Sequence, residues 1–362
     1  MIPRPDSPRP DTLLATLANG VRVVTIRMPW LASASASVFV RTGSAHESAA
    51  TNGISHVVEH MAFKGTATRD AARINLDAEL LGAEVNAHTD KDHTAYHLRG
   101  MARDAVAFVR MLGDIVRRPT FPAAELERER QVILQEFLED EEDPMSTAFR
   151  QFDRLCYGTH PMAQAVIGTR RNIERFTREE LLGYVEAQYT GANVVIGVAG
   201  DVDHDAVVRE AEAAFGDLPA GTPHLTTAPA WLGGVKAARL AGCSQSHVVL
   251  GYPIASMRDD DPAYAVAAAL FGEGMSSPWM DEIRERRGLV YYAACSADVM
   301  EACGQFVIEA STTPDKVEAL LGETRRLLLA QAAGVDAVDL QRARNQLAVR
   351  RLRAHERPVR RV

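Results

Sequence analysis

Two short stretches of this chain recur in its second half, and that recurrence constrains the fold more than any other feature. Gly53-Ile54-Ser55 matches Gly274-Met275-Ser276, and Glu125-Leu126-Glu127-Arg128-Glu129-Arg130-Gln131 matches Asp339-Leu340-Gln341-Arg342-Ala343-Arg344-Asn345. A chain of 362 residues exceeds one ordinary core and suggests two domains. The second half therefore reads as a diverged copy of the first, two helix-containing α/β halves in series. Residues 218–234, with three prolines, three threonines and three glycines, read as the connection. The expected division is a first domain over 1–219, a linker over 220–234 and a second domain over 235–362. On this register the second copy stops soon after Arg350, the counterpart of Glu136, and its basic end is interrupted by Pro358. The second domain is expected to lack its C-terminal part, or to be an unusually short copy.

In the first half, Val21 to Met28 reads as a strand, and Ala34, Ala36, Val38 and Val40 alternate with serines as a second. Helices are expected at 71–81, 104–116, 122–142, 178–188 and 203–215, a strand or hairpin over 83–98 and a buried-type strand over 193–200. In the second half, 246–251 and 305–310 read as strands, and 261–271, 314–332 and 336 onward as helices. Asp261-Pro262 supplies N-cap and first-turn chemistry for the first of these helices.

Within the first copy lies His56-Val57-Val58-Glu59-His60. In a helix, imidazoles at this spacing stack on one face with Glu59 beside them. Two neutral imidazoles so placed can hold one zinc ion, and the adjacent carboxylate can take a proton from water. The order is the reverse of the commoner His-Glu-x-x-His arrangement. The counterparts in the second copy are Ser277, Met280 and Asp281, so only the first copy is expected to keep a metal.

Zinc hydrolases usually supply three protein ligands, so a third must come from a separate element. The helix at 122–142 carries Glu125, Glu127, Glu129, Glu136, Glu139 and Glu141, and its Val132, Ile133, Leu134 and Phe137 suggest an inward-packed middle. Glu136 sits beside that apolar patch, with Glu129 two turns earlier on the same face. A buried carboxylate needs a cation, which favours ligation for Glu136, although spacing alone does not choose it. For the flanking glutamates a solvated acidic face is the better reading. His88, His93 and His97 cluster within 83–98, but His88 and His93 fall on opposite faces of a single strand, so no second metal is expected there. The other histidines are isolated and read as structural or surface residues.

A formal charge of −8 gives no reason to expect nucleic acid as a partner. The longest apolar runs, such as 263–271, are too short to span a bilayer, and the start of the chain lacks the apolar core of a secretory signal. Cys156, Cys243, Cys295 and Cys303 show no pair spacing, which fits reduced thiols and a cytoplasmic location.

The run Gly53 to Gly65, followed by Glu125 to Glu136, resembles the pitrilysin and insulysin-type metallopeptidases that carry His-x-x-Glu-His. The nearest branch is that of mitochondrial processing peptidase and its bacterial relatives. The resemblance continues through Gly82-Ala83-Glu84-Val85-Asn86-Ala87, Asn193-Val194-Val195 and Phe215-Gly216-Asp217-Leu218-Pro219. In the second half it includes Phe271 to Ser277 and Ile283-Arg284-Glu285-Arg286-Arg287-Gly288-Leu289-Val290-Tyr291. It implies an α+β fold of two repeated α/β domains, each a mainly antiparallel sheet covered by helices. It also implies one Zn2+ per chain held by His56, His60 and Glu136, with Glu59 as general base and Glu129 as the carboxylate that orients a ligand. Gly82, Ala83, Glu84, Val85 and Asn86 would form the edge strand that takes substrate as an added β-strand. Arg284 and Tyr291 match the pair that reaches toward substrate and the developing oxyanion. Pro278-Trp279 interrupts the usual pattern before Arg284.

The expected activity is that of a zinc metalloendopeptidase acting on peptides or unfolded segments. Relatives of this branch either divide the zinc site and the Arg/Tyr pair between two subunits or carry both and form homodimers. This chain has both sets, so a homodimer is expected, with a heterodimer as the alternative. A different class of function, a non-catalytic peptide-binding or assembly subunit of the same fold, does not need His56, Glu59, His60 and Glu136 together.

Overall fold

The structure, a computed structural model, describes residues 11–361. Its contacts divide the chain into two compact units, one comprising residues 11–137, 165–225 and 354–361 and the other residues 138–164 and 226–353.

The first unit is built on a six-stranded sheet. Its strands are β1 (Asp11–Thr16), β2 (Arg22–Arg27), β3 (Ser33–Val40), β4 (Glu84–Thr89), β5 (Thr94–Met101) and β6 (Val194–Gly200), in the spatial order β1-β2-β6-β3-β5-β4. Every pairing is antiparallel except β2 with β6. The alternation read in β3 is real: Ala34, Ala36, Val38 and Val40 enter the core, and the register sets Val38 opposite Tyr96 and Ile196. The expected strand or hairpin over 83–98 is the β4–β5 hairpin, with β4 at the sheet edge.

Helices α1 (Ile54–Ala62) and α2 (Ala71–Leu80) lie between β3 and β4, and α3 (Ala105–Arg117) and α4 (Ala123–Glu142) follow β5. Asp70 caps α2 by accepting from the Arg73 amide. The apolar face of α3, with Phe108, Leu112 and Ile115 fully buried, meets the same core as Ile133 of α4. The chain passes from the first unit to the second within α4, and α5 (Pro144–Tyr157) follows at once. Sequence reasoning did not anticipate α5, although Asp143 caps it through the Ser146 amide and Pro144 opens it, the same chemistry that marks Asp261-Pro262. Helices α6 (Arg170–Arg175), α7 (Arg178–Gln188) and α8 (His204–Phe215) complete the first unit's helical layer.

The second unit has a three-stranded antiparallel sheet of β7 (Ser246–Ile254), β8 (Val290–Val299) and β9 (Gly304–Thr312), in the order β7-β9-β8. Helix α9 (Ala263–Gly272), the single turn α10 (Pro278–Met280) and a π-helical turn (Asp281–Arg286) separate β7 from β8. Helices α11 (Val317–Ala333) and α12 (Ala337–His355) follow β9, and a last turn α13 (Pro358–Arg361) belongs to the first unit, against β3 and β6. Trp279 is fully buried, stacks on Phe271 at 5.6 Å and donates to Thr324 Oγ1 at 2.9 Å. Strand β8 escaped sequence reasoning because its residues are mostly half-buried or exposed and carry no clean alternation.

The repeat read from the sequence is a repeat of topology. One strand, a helical segment, a β-hairpin and two helices occur in the same order in both units, and β3-β5-β4 corresponds to β7-β9-β8. The compact units do not coincide with the expected division at 1–219, 220–234 and 235–362. Helix α5 packs on β7 and so joins the second unit, while α13 joins the first. Repeats follow chain order, whereas compactness follows contacts. Residues 219–240 carry no helix or strand.

Candidate metal centre

Helix α1 buries Ile54, Val57, Val58 and Met61 in the core and leaves His56, Glu59 and His60 half-buried on its other side. Its start is held by Glu47. That carboxylate accepts from the Gly53 and Ser55 amides at 2.8 Å each, from Ser55 Oγ at 2.6 Å and from Asn52 Nδ2 at 3.0 Å. A carboxylate at this end of a helix meets unpaired amides and the positive end of the dipole. Burial nevertheless pushes the Glu47 carboxyl above its ordinary value, against all of these donors. Gly53 adopts φ 99°, and a Cβ there would come within 2.9 Å of Gly168 Cα and the Ile167 carbonyl. Tyr184 from α7 adds a hydroxyl contact to Ser55 Oγ at 2.7 Å.

The His56 and His60 rings lie with centroids 4.6 Å apart, close to edge-on. Glu136 from α4 brings Oε2 to 3.4 Å from His60 Nε2 and 3.7 Å from His56 Nε2. One ligand atom from each of the three residues lies within 4.8 Å of the others. A tetrahedral zinc ion with bonds of about 2.0–2.2 Å holds its ligand atoms roughly 3.3 Å apart, so this donor set fits zinc. Among the described residues it is the only group of three or more His, Cys, Asp or Glu with this closeness.

Glu129, nearly buried, approaches His60 Nδ1 through Oε2 at 3.3 Å and takes Lys64 Nζ on Oε1 at 2.6 Å. It holds the second nitrogen of His60 and leaves Nε2 facing Glu136. Burial, with the neighbouring His60, pushes the His56 imidazole down to about 3, so it is neutral and able to ligate at neutral pH. Its Nδ1 is buried without a hydrogen-bond partner. Glu59 accepts from Thr89 Oγ1, at the end of β4, at 2.9 Å. Burial raises the Glu59 carboxyl and Glu136 adds to this, while Thr89 and His60 oppose it.

The other expected residues are placed differently. The edge strand begins at Glu84; the Gly82 and Ala83 amides instead close the end of α2, on the carbonyls of Glu79 and Ala78. Glu84, Val85 and Asn86 do lie on the edge strand. Arg284 and Tyr291 belong to the second unit. Arg284 is exposed on the π-helical turn, and Tyr291 is 82% exposed at a bulge between Val290 and Tyr292. Glu47, Lys64 and Thr89 were not anticipated. Of these only Lys64 carries a sequence signal, one helical turn beyond His60.

The family model described as "Insulinase (Peptidase family M16)" matches residues 22–170, and that described as "Peptidase M16 inactive domain" matches residues 175–347. The chain belongs to peptidase family M16. A Rickettsia felis protein named as an uncharacterized zinc protease is 31% identical over 345 residues, spanning 95% of this chain and 84% of that one. The mitochondrial-processing peptidase subunit beta of Lentinula edodes is 33% identical over 270 residues, or 74% of this chain and 55% of the other. The crystal structure of a protease from Helicobacter pylori shares the fold at TM-score 0.88 and 22% identity, covering 97% of this chain and 87% of that one. Among the described residues of this M16 chain the second copy has no equivalent donor set. Asp281 pairs with Arg286, and Arg350, opposite Glu136 in the repeat, pairs with Glu273. Among the described residues no helix is long and apolar enough to cross a membrane.

Proposed function

We propose that this M16 chain is a zinc-dependent endopeptidase that hydrolyses peptides or unfolded protein segments. The observation that carries the reading is the convergence of His56, His60 and Glu136 with Glu59 beside them on α1. These three residues would hold one zinc per chain. When bound, zinc would polarise the scissile carbonyl and make water in the site more acidic. Glu59 takes the proton of the attacking water on its carboxylate and returns it to the leaving amine. Thr89 fixes the orientation of that carboxylate, and its raised proton affinity suits both halves of the transfer. Glu129 keeps His60 in one tautomer and orientation. The open edge of β4, from Glu84 onward, offers main-chain groups to an extended substrate, which favours broad sequence tolerance. Arg284 and Tyr291 are read, from the family resemblance, as donors toward substrate and oxyanion. The chain is read as cytoplasmic and, since it carries both sets of residues, as a homodimer.

A second reading, favoured by the match to a peptidase subunit named beta, is a zinc-bearing chain that works with a different partner chain. The deciding experiment measures metal content and hydrolysis of a peptide library by the purified chain, with and without chelator. Glu59→Gln should keep its zinc and lose hydrolysis; turnover in that variant at the wild-type rate removes the assigned base. Zinc bound by an inactive wild-type chain that gains activity on adding a partner supports the second reading.

A further inference from the structure

The histidines at 88, 93 and 97 were discounted because a single strand would send His88 and His93 to opposite faces. The β4–β5 hairpin removes that objection. His88 lies near the end of β4 opposite Ala95, while His93 sits in the connection just before β5, so the turn folds one residue back onto the other. Their Nε2 atoms are 3.3 Å apart and their rings meet edge-on at 5.4 Å. His97, opposite Asn86, brings its ring to 5.9 Å from that of His88.

We propose that His88 and His93 form a second divalent transition-metal site, with Nε2 of each as ligands. A spacing of 3.3 Å is that of two nitrogens sharing one ion at bond lengths of about 2.0–2.1 Å. The second nitrogen of His93 is already committed, because Nδ1 lies 2.7 Å from Asp92 Oδ1 and donates to it. In the neutral ring that contact keeps the proton on Nδ1 and leaves the lone pair on Nε2, the arrangement that metal-binding histidines use. In the absence of metal, His88 Nε2–H donates to that lone pair. Binding needs the shift of the His88 proton to Nδ1, because a neutral imidazole carries it on either nitrogen, and a His93 ring that is neutral at Nε2.

The charges around the pair favour a cation on balance. Asp90 and Asp92 act on His93, and Asp90 acts on His88; Arg99 is the opposing charge. Burial keeps His88 below the ordinary imidazole value and His97 at about 4, whereas the Asp92 carboxylate raises His93 above it, so a metal ion competes with a proton at His93 and binds better as pH rises. His88 is exposed, so solvent can complete the coordination of an imidazole-preferring ion such as zinc, nickel or copper. With only two protein ligands the ion binds more weakly than at His56, His60 and Glu136, and exchanges readily. The site stands on the same edge strand proposed to take substrate, which puts a metal-responsive element beside the peptide path.

Chelator-stripped chain titrated with Zn2+ at neutral pH is expected to bind two equivalents, one tight and one weaker. His88→Ala and His93→Ala should each remove the weaker equivalent and keep the tight one, with unchanged circular dichroism. His60→Ala should do the reverse. Asp92→Asn should weaken the second equivalent by about ten-fold or more. A single equivalent in the wild type, or a second that survives both His88→Ala and His93→Ala, overturns the proposal. Retention of both equivalents by His60→Ala would instead overturn the first site and leave the hairpin site standing.

Discussion

The two units of this chain share the order of three strands and a sequence of elements, yet among the described residues only one gathers two imidazoles and a carboxylate within reach of one another. In the first unit a regular helix, α1, follows β3 and aligns His56 and His60 one turn apart. In the second, the corresponding segment is a single turn and a π-helical turn, and the counterparts are Ser277, Met280 and Asp281. Ser277 caps the turn, Met280 is buried and Asp281 pairs with Arg286. Next to them Trp279 fills the core against Phe271. The same topology thus converges a candidate ligand set in one copy and packs a core in the other. Topology supplies the frame, and a few side chains plus the local helix type decide the chemistry.

The comparison can be broken by changing each copy at its own critical position. The largest effect is expected from Glu59→Gln, which should lower peptide hydrolysis by about 10²–10⁴-fold without moving the melting temperature by more than a few degrees. Trp279→Ala probes the other copy and should cost about 3–5 kcal/mol of stability in a denaturant titration, because a fully buried indole and its bond to Thr324 are lost. Normal stability in that variant would mean that the second copy is not held by this residue. Glu129→Gln sharpens the picture of the first copy. It should weaken zinc by about 10–100-fold in a competition assay with a chromophoric chelator, since Lys64 and His60 lose their shared carboxylate.

The smallest effect per step of the measurement is a pH slope. His56 titrates at about 3 in the folded, metal-free chain and near 6.5 when unfolded. As pH falls below 6.5 the unfolded chain takes the proton first, so stability present above that pH is lost toward pH 3. The slope approaches about 1.4 kcal/mol per pH unit in this window. His56→Gln should flatten it when chelated protein is unfolded in urea at successive pH values. The second copy has Ser277 at this position, whose hydroxyl does not titrate in this range.

How much could be read in advance depended on how local each signal was. The His56/His60 pair was legible because a spacing of four on a helix is set by the chain itself. Glu136 was ranked first among six glutamates only through its apolar neighbours and the family pattern; its approach to both imidazoles is a matter of how α4 packs beside α1. Glu47 was invisible, since a carboxylate several residues before a helix becomes its anchor only after the intervening loop turns back. The approach of His88 to His93 was not legible, because their spacing was weighed on one strand face, and only the turn of the β4–β5 hairpin sets the two Nε2 atoms 3.3 Å apart. Strand β8 and helix α5 were missed, the first for want of alternation and the second although Asp143-Pro144 announced it.

By itself the sequence determined the repeat, the helical pair of imidazoles with its neighbouring carboxylate, and the family. These rest on spacing and on ordered motifs, which survive without coordinates. Only the tertiary structure decided which glutamate meets the imidazoles, what holds the helix start, and that a turn brings two distant histidine nitrogens together. Each of those depends on the relative placement of separate elements, which hydrophobic burial of their opposite faces sets and no single stretch of chain encodes.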